Sequence, residues 1–250
     1  MKVGVVLAAG ASSRMGSSKP LVQLEGASFL AHGIRNLWAV CDTVVVVLGA
    51  EAARVRRSAE EEFQRLIESG TLHRELKATR RTGADGLEVH FVHNRSWAKG
   101  MFGSARVGIA EALGERPESV VVLPVDHPHL TAPTVHVLSA AMDAALGAYV
   151  GSKKARDKFA YAVIPRHRGL RGHPLVLSPG LAHLIAADAD ANDLSDAVRR
   201  NARLVGYLDV PDGGVIRNRN TPDDDTGSRP ARRQPARRVV QRKKKKTRAR

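Results

Sequence analysis

Three short runs in this chain are almost wholly apolar: Val3–Leu7, Thr43–Leu48 and Ser119–Leu123. Runs of that length and purity predict strands buried on both faces, as in a parallel sheet. Between them the apolar positions move to helical spacing. Ser28 can cap a helix through Cys41 that carries Leu30, Ile34, Leu37 and Trp38 on one stripe. Ala50 to about Ser69 reads as a highly charged helix, Gly103–Leu113 as another, and Thr131 can cap a further one to about Leu146. Val89–Val92, Tyr161–Ile164 and Arg203–Leu208 predict strands, and Leu181–Ala187 and Asp193–Asn201 predict helices. Strand alternating with helix in this order predicts an α/β fold of three α/β/α layers with a mostly parallel central sheet.

The connection into Val89 is long. Glu60–Arg81 is rich in charge, and Arg80–Gly86 reads as an exposed turn. Together they suggest a charged insert at about 58–86 within one domain of residues 1–224, not a second domain. No repeat of fixed period is present. Beyond Asp224 the periodic pattern stops, and residues 225–250 are expected to form a disordered basic tail.

Charge changes this picture only locally. The 40 Lys and Arg and 25 Asp and Glu give a net +15, but residues 225–250 hold 12 of the bases and one acid. The tail thus carries +11, leaving +4 on the rest, so the charge does not require a basic nucleic-acid-binding domain. The run Lys243–Lys246 can bind phosphate backbones without sequence preference, yet no aromatic residue is interleaved to stack bases. A solvated, weakly polyanion-binding appendage is the expectation, with a nucleic-acid-binding protein as the competing class.

Cys41 is the only cysteine, which excludes an intrachain disulfide and fits a reducing, cytoplasmic setting. His127 and His129 invite a zinc proposal, against which the absence of a third ligand counts. No apolar run approaches the roughly 18 residues that span a bilayer, so no membrane association is expected. Met1-Lys2 followed by Val3–Ala9 has the outline of a secretory signal, but the apolar stretch is brief.

The chemistry concentrates after the first strand. Leu7-Ala8-Ala9-Gly10-Ala11-Ser12-Ser13-Arg14-Met15-Gly16-Ser17-Ser18-Lys19 offers small residues whose amides can turn toward a ligand, with two cations. Such a loop at the carboxyl end of a parallel strand can hold phosphate. It matches neither the Walker spacing nor the G-x-G-x-x-G fingerprint; a phosphate site is the expectation, with a plain strand-to-helix turn as the alternative.

This segment resembles the signature of nucleotidyltransferases that move a nucleoside monophosphate onto a phosphate acceptor, and most closely that of the molybdenum cofactor cytidylyltransferases. Four further blocks support the resemblance in order: Asn94 to Ser104 with Gly100-Met101, Leu123 to Pro128 with Asp126, Arg171-Gly172-His173-Pro174, and Asn220 to Asp224. The resemblance implies a Rossmann-like nucleotidyltransferase in which Leu7, Ala8, Ala9, Gly10, Asn94 and Gly100 bind the nucleotide. It gives Arg14, Lys19 and Asp126 both nucleotide-binding and catalytic roles. Asp126 and Asn220 would hold Mg²⁺, although related enzymes carry acids where this chain has Asn218 and Asn220. Ser104, Gly172, His173 and Pro174 would form the acceptor site. Several of these residues also have purely structural readings: Asp126 bracing its turn, Ser104 capping a helix, and His173 in a rigid turn.

The Leu-Ala-Ala-Gly form and the Gly-His-Pro element fit the cytidylyl branch. They imply CTP and a molybdopterin-type acceptor, pyrophosphate release, and transient contact with a molybdenum hydroxylase. GTP, or another acceptor such as a sugar 1-phosphate, is the alternative on the same chemistry.

Overall fold

The computed structural model describes residues 1–11, 18–69, 76–77, 87–149 and 151–219. The chain runs β1 (Lys2–Ala8), the hairpin β2 (Gln23–Leu24) and β3 (Ala27–Ser28), α1 (Phe29–Trp38), β4 (Thr43–Leu48) and α2 (Ala52–Glu68). It continues with β5 (Leu76–Lys77), β6 (Leu87–His93), α3 (Met101–Gly114), β7 (Ser119–Pro124), α4 (Ala132–Gly147), α5 (Lys153–Asp157) and β8 (Tyr161–His167). It closes with β9 (Leu170–Arg171), β10 (Leu175–Leu177), α6 (Pro179–Ala187), α7 (Leu194–Asn201) and β11 (Leu204–Asp209).

The sheet order is β11-β8-β10-β7-β1-β4-β6-β5, with β9 alongside β8. Neighbours are parallel except that β10 opposes both β7 and β8, and β9 opposes β8. The alternation of strand side chains divides the core in two. Val6, Ala8, Val44, Val46, Val121 and Leu123 pack against α1, α2 and α4. Val3, Val5, Leu7, Val45, Val47 and Val122 pack against α3, α6 and α7. A sheet covered on both faces explains why β1, β4 and β7 read as unbroken apolar runs. Each fully buried valine contributes on the order of 1.5–3 kcal/mol, so the strands under the site are the most strongly held part of the fold. The three-layer α/β fold with a mostly parallel sheet is the one expected from the pattern.

Several boundaries differ from the expectation for physical reasons. The helix begun by Ser28, whose hydroxyl accepts from the Ala31 amide at 3.1 Å, ends at Trp38. The Val40 and Cys41 amides both fold back onto the Leu37 carbonyl there. α3 begins at Met101, ahead of the expected Gly103, because Gly100 turns the chain at φ +122°. Thr131 precedes α4 but does not cap it: its amide and hydroxyl both donate to the Asp212 carboxylate, at 3.0 and 2.8 Å. The antiparallel strand β10 was not expected at all, since three residues are too few to show a period. The apolar start of the chain, with its outline of a secretory signal, is the strand β1 near the middle of the sheet. Arg14 and the loop around it, the turn at 80–86, Asn220 and the tail lie outside the described residues.

Candidate active site

β1 and β7 are parallel neighbours in the register Leu7 to Pro124, and the Val125 amide extends the ladder by donating to the Leu7 carbonyl at 3.1 Å. The loops after these two strands therefore leave the same carboxyl edge side by side, which is where open α/β sheets bind ligands. Leu7, Ala8 and Ala9 are buried, so these three can offer a ligand backbone and little side chain. Gly10 and Ala11 emerge at the surface. The Ala9 carbonyl accepts from Ala50 at 3.3 Å, tying the first loop to the end of β4.

The chain then returns through the turn Lys19–Leu21, anchored by buried Pro20. From there the Lys19 Nζ reaches to 3.4 Å from Asp126 Oδ2, across a sequence separation of 107 residues. The side chains of this pair are 17% and 20% exposed, so the pair opens on solvent and a substrate can reach it. A cation beside a carboxylate at a strand end can bind phosphate charge while the carboxylate holds a metal ion.

Asn94 follows β6, and its amide donates to the Leu48 carbonyl at 2.8 Å. Its side chain is turned inward: Nδ2 donates to Ser104 Oγ at 2.9 Å, and Oδ1 accepts from the Ser96 amide at 3.0 Å. Asn94 thus braces the loop that carries exposed Gly100. Ser104 lies inside α3, paired with Asn94 on the β6 side of β1. Gly172, His173 and Pro174 lead into β10, on the opposite side of β1 and β7. The structure brings Lys19 and Asp126 together, and Asn94 with Ser104.

That segment is held from an unexpected direction. The His173 amide donates to the Val215 carbonyl at 2.8 Å, and the peptide to Pro174 is cis. The Gly172 position approaches Val215 so closely that a Cβ there would lie 2.2 Å from its carbonyl oxygen. The His173 ring is 5.0 Å from that of His127, and its buried Nδ1 has no hydrogen-bond partner among the described residues. Burial, with a smaller push from His127, lowers the His173 imidazole to about 3. Burial likewise lowers His127, against the pull of Asp126.

Residues 212–219 form a strap over this turn. Asp212 accepts from Thr131 and Thr134, His127 Nδ1 lies 3.3 Å from the Gly214 carbonyl, and the Arg219 amide donates to the Asp126 carbonyl at 2.8 Å. A Cβ on Gly214 would lie 2.2 Å from the His129 carbonyl. Buried Arg219 lays its guanidinium 5.2 Å from the Phe29 ring centroid. The sequence marks His127 only as a zinc candidate beside His129, and gives Asp212, Gly214, Val215 and Arg219 no functional signal. The run Asp212-Gly213-Gly214 signals a turn, but nothing local tells what the turn lies against.

Among the described residues no three His, Cys, Asp or Glu side chains gather as a ready-made ion cage. The donor set suits Mg²⁺ nonetheless, because that ion uses one or two carboxylates and completes its shell with water and substrate phosphates. No helix of the described residues is long and apolar enough to cross a membrane.

Comparison with known proteins accords with this geometry. The profile of the MobA-like NTP transferase domain matches residues 4–204. The molybdenum cofactor cytidylyltransferase of Escherichia coli (strain K12) is 22% identical over 224 residues, covering 88% of this chain and 91% of its own. The Rv0371c protein of Mycobacterium tuberculosis H37Rv superposes with a TM-score of 0.61 at 22% identity, covering 89% of this chain and 94% of that one. A manganese complex of Rv0371c gives 0.55 at 20% identity, with 84% and 87% covered. With a parallel-stranded core, a small-residue loop after β1 and a carboxylate after β7, the chain belongs to the MobA-like NTP transferase domain family and is a nucleotidyltransferase.

Proposed function

We propose that the chain transfers CMP from CTP to a molybdopterin-type acceptor and releases pyrophosphate. The observation that carries the reading is the Lys19–Asp126 pair at the carboxyl edge of β1 and β7. The Leu7-Ala8-Ala9-Gly10 loop and the cytidylyltransferase of Escherichia coli support cytidine as the base.

In this reading an acceptor phosphate oxygen attacks the α-phosphorus and pyrophosphate departs, with no covalent intermediate on the protein. Both reactants are anions, so the barrier contains strong charge repulsion. Lys19, with Arg14 from outside the described residues, supplies positive charge where the transferring group gathers negative charge. The amides of Ala8, Ala9 and Gly10 orient the phosphates, and Asn94 shapes the nucleotide-side loop around Gly100. Gly172, His173 and Pro174 seat the acceptor, and holding both partners in line contributes several kcal/mol, on the order of the gains seen for oriented reactants. Asp126, with Asn220 beyond the described residues, holds Mg²⁺. That ion supplies Lewis-acid stabilisation of phosphate charge.

Residues 1–224 form the transferase, and 225–250 are a separable appendage. The finished product passes to a molybdenum hydroxylase through a transient contact. The test is pyrophosphate release from each of the four nucleoside triphosphates, with Mg²⁺ and molybdopterin or a sugar 1-phosphate. The reading requires release from CTP with molybdopterin, and it fails if that mixture is silent while another is active. Removing residues 226–250 should leave the rate within about twofold while weakening salt-sensitive binding to DNA.

A further inference from the structure

His127 follows Asp126 in the turn after β7, and the reaction as described gives its imidazole no task. The ring is buried, and its Nδ1 lies 3.3 Å from the Gly214 carbonyl oxygen. A carbonyl oxygen only accepts, so this contact places a ring proton on Nδ1, and in the neutral imidazole Nε2 then keeps its lone pair. Nε2 lies 3.9 Å from Asp126 Oδ1. The other oxygen of that carboxylate, Oδ2, is the one that meets Lys19. In the neutral ring, two acceptor atoms thus lie 3.9 Å apart with no proton to share between them. The His173 ring, tilted 59° at 5.0 Å, backs the imidazole.

We infer that His127 Nε2 joins Asp126 Oδ1 as a direct ligand of the divalent cation, and that the site consequently favours Mn²⁺ over Mg²⁺. The inference rests on the reading that the cation sits at Asp126. Two atoms bound side by side on an octahedral ion with bonds of about 2.1 Å lie about 3 Å apart. A small side-chain rotation closes the observed gap to that spacing. A ring nitrogen that donates to a backbone carbonyl while its partner nitrogen points at the ion is the usual support of a metal-binding histidine. Nitrogen ligation suits first-row transition ions, whereas Mg²⁺ prefers oxygen throughout.

The test is Mn²⁺ binding to the full-length chain without nucleotide, followed by electron paramagnetic resonance. Spin-echo modulation from ¹⁴N should appear in the wild type. His127→Asn keeps an amide donor for the Gly214 carbonyl but has no atom at the Nε2 position. It should lose the modulation and about tenfold or more in Mn²⁺ affinity, with a smaller change for Mg²⁺. His127→Gln, which can present an oxygen near Nε2, should lose the modulation but retain more of the Mn²⁺ affinity. Absence of ¹⁴N modulation in the wild type overturns the inference, as does His127→Asn binding Mn²⁺ within about twofold of wild type. Pyrophosphate release from the same preparations separates the two readings. Transfer from CTP without ¹⁴N modulation removes only the ligand, and modulation without transfer from any triphosphate leaves the ligand standing and removes only the function.

Discussion

The two flanks of the β1–β7 pair are built differently. On the β4 flank, to which the proposed function assigns the nucleotide, β1, β4 and β6 run parallel and in register, and every residue of β4 is buried. The first loop and the Asn94 loop issue from strand ends that the sheet has already aligned. On the β10 flank, to which the proposed function assigns the acceptor, β10 has three residues and runs against its neighbours. Its entry, Gly172–Pro174, and the Asp126 turn are held together by the strap 212–219, which returns from the far end of the domain. The β4 flank is held by the sheet itself, and the β10 flank is held in addition by the strap. Damage to the two should therefore separate in kinetics, with nucleotide and acceptor KM values moving independently.

The variant expected to have the largest effect touches the point where the flanks meet. Asp126→Asn should lower the rate of pyrophosphate release by about 10³-fold with little change in thermal midpoint. A loss of less than about tenfold would remove Asp126 from the chemistry. Next is the strap. Gly214→Ala or Gly172→Ala introduces a Cβ at 2.2 Å from a backbone oxygen. Each should cost about 1–3 kcal/mol in urea unfolding and raise the acceptor KM while leaving the nucleotide KM unchanged. Equal rises in both would erase the division into flanks.

Ser104→Ala sharpens the boundary between them. It leaves the buried Asn94 Nδ2 without its acceptor, a loss of about 1–3 kcal/mol, and the nucleotide KM should rise rather than the acceptor KM. A rise in the acceptor KM instead would support the acceptor site to which its motif assigns Ser104. The smallest effect concerns pH. Burial raises the Asp212 carboxyl, but hydrogen bonds from Thr134, Thr131 and the Gly214 and Thr131 amides prevail, and the net direction is down. A carboxyl lowered on folding stabilises the protein above its unfolded value of about 3.9, and that stability is lost as pH falls through the lower folded value. The stability gap between wild type and Asp212→Asn, measured by urea at pH 7 and pH 3, should accordingly narrow at the acid end.

What could be read along the chain follows the same division. Val3–Leu7, Thr43–Leu48 and Ser119–Leu123 announce their strands because a doubly covered sheet demands apolar residues on both faces. Lys19 and Asp126 stand out because a small-residue loop and a proline-flanked acid are local features. Leu175–Leu177 is too short to display a period, so β10 went unseen. His127 read as a zinc decoy, because its meaning lies in Gly214, 87 residues away. Ser104 reads as an acceptor residue from its motif, and the bond its hydroxyl accepts from Asn94 Nδ2 is one the motif does not announce.

By itself the sequence determined the layered α/β architecture and marked out the small-residue loop after β1 and the acid after β7, since periodicity and small-residue loops act over a few neighbouring residues. The tertiary structure alone decided which distant groups share the site. Pairing Lys19 with Asp126, and seating residues 212–219 between the Asp126 turn and His173, depend on sheet order and on close backbone approaches. These are contacts between segments far apart in the chain, which no local pattern encodes.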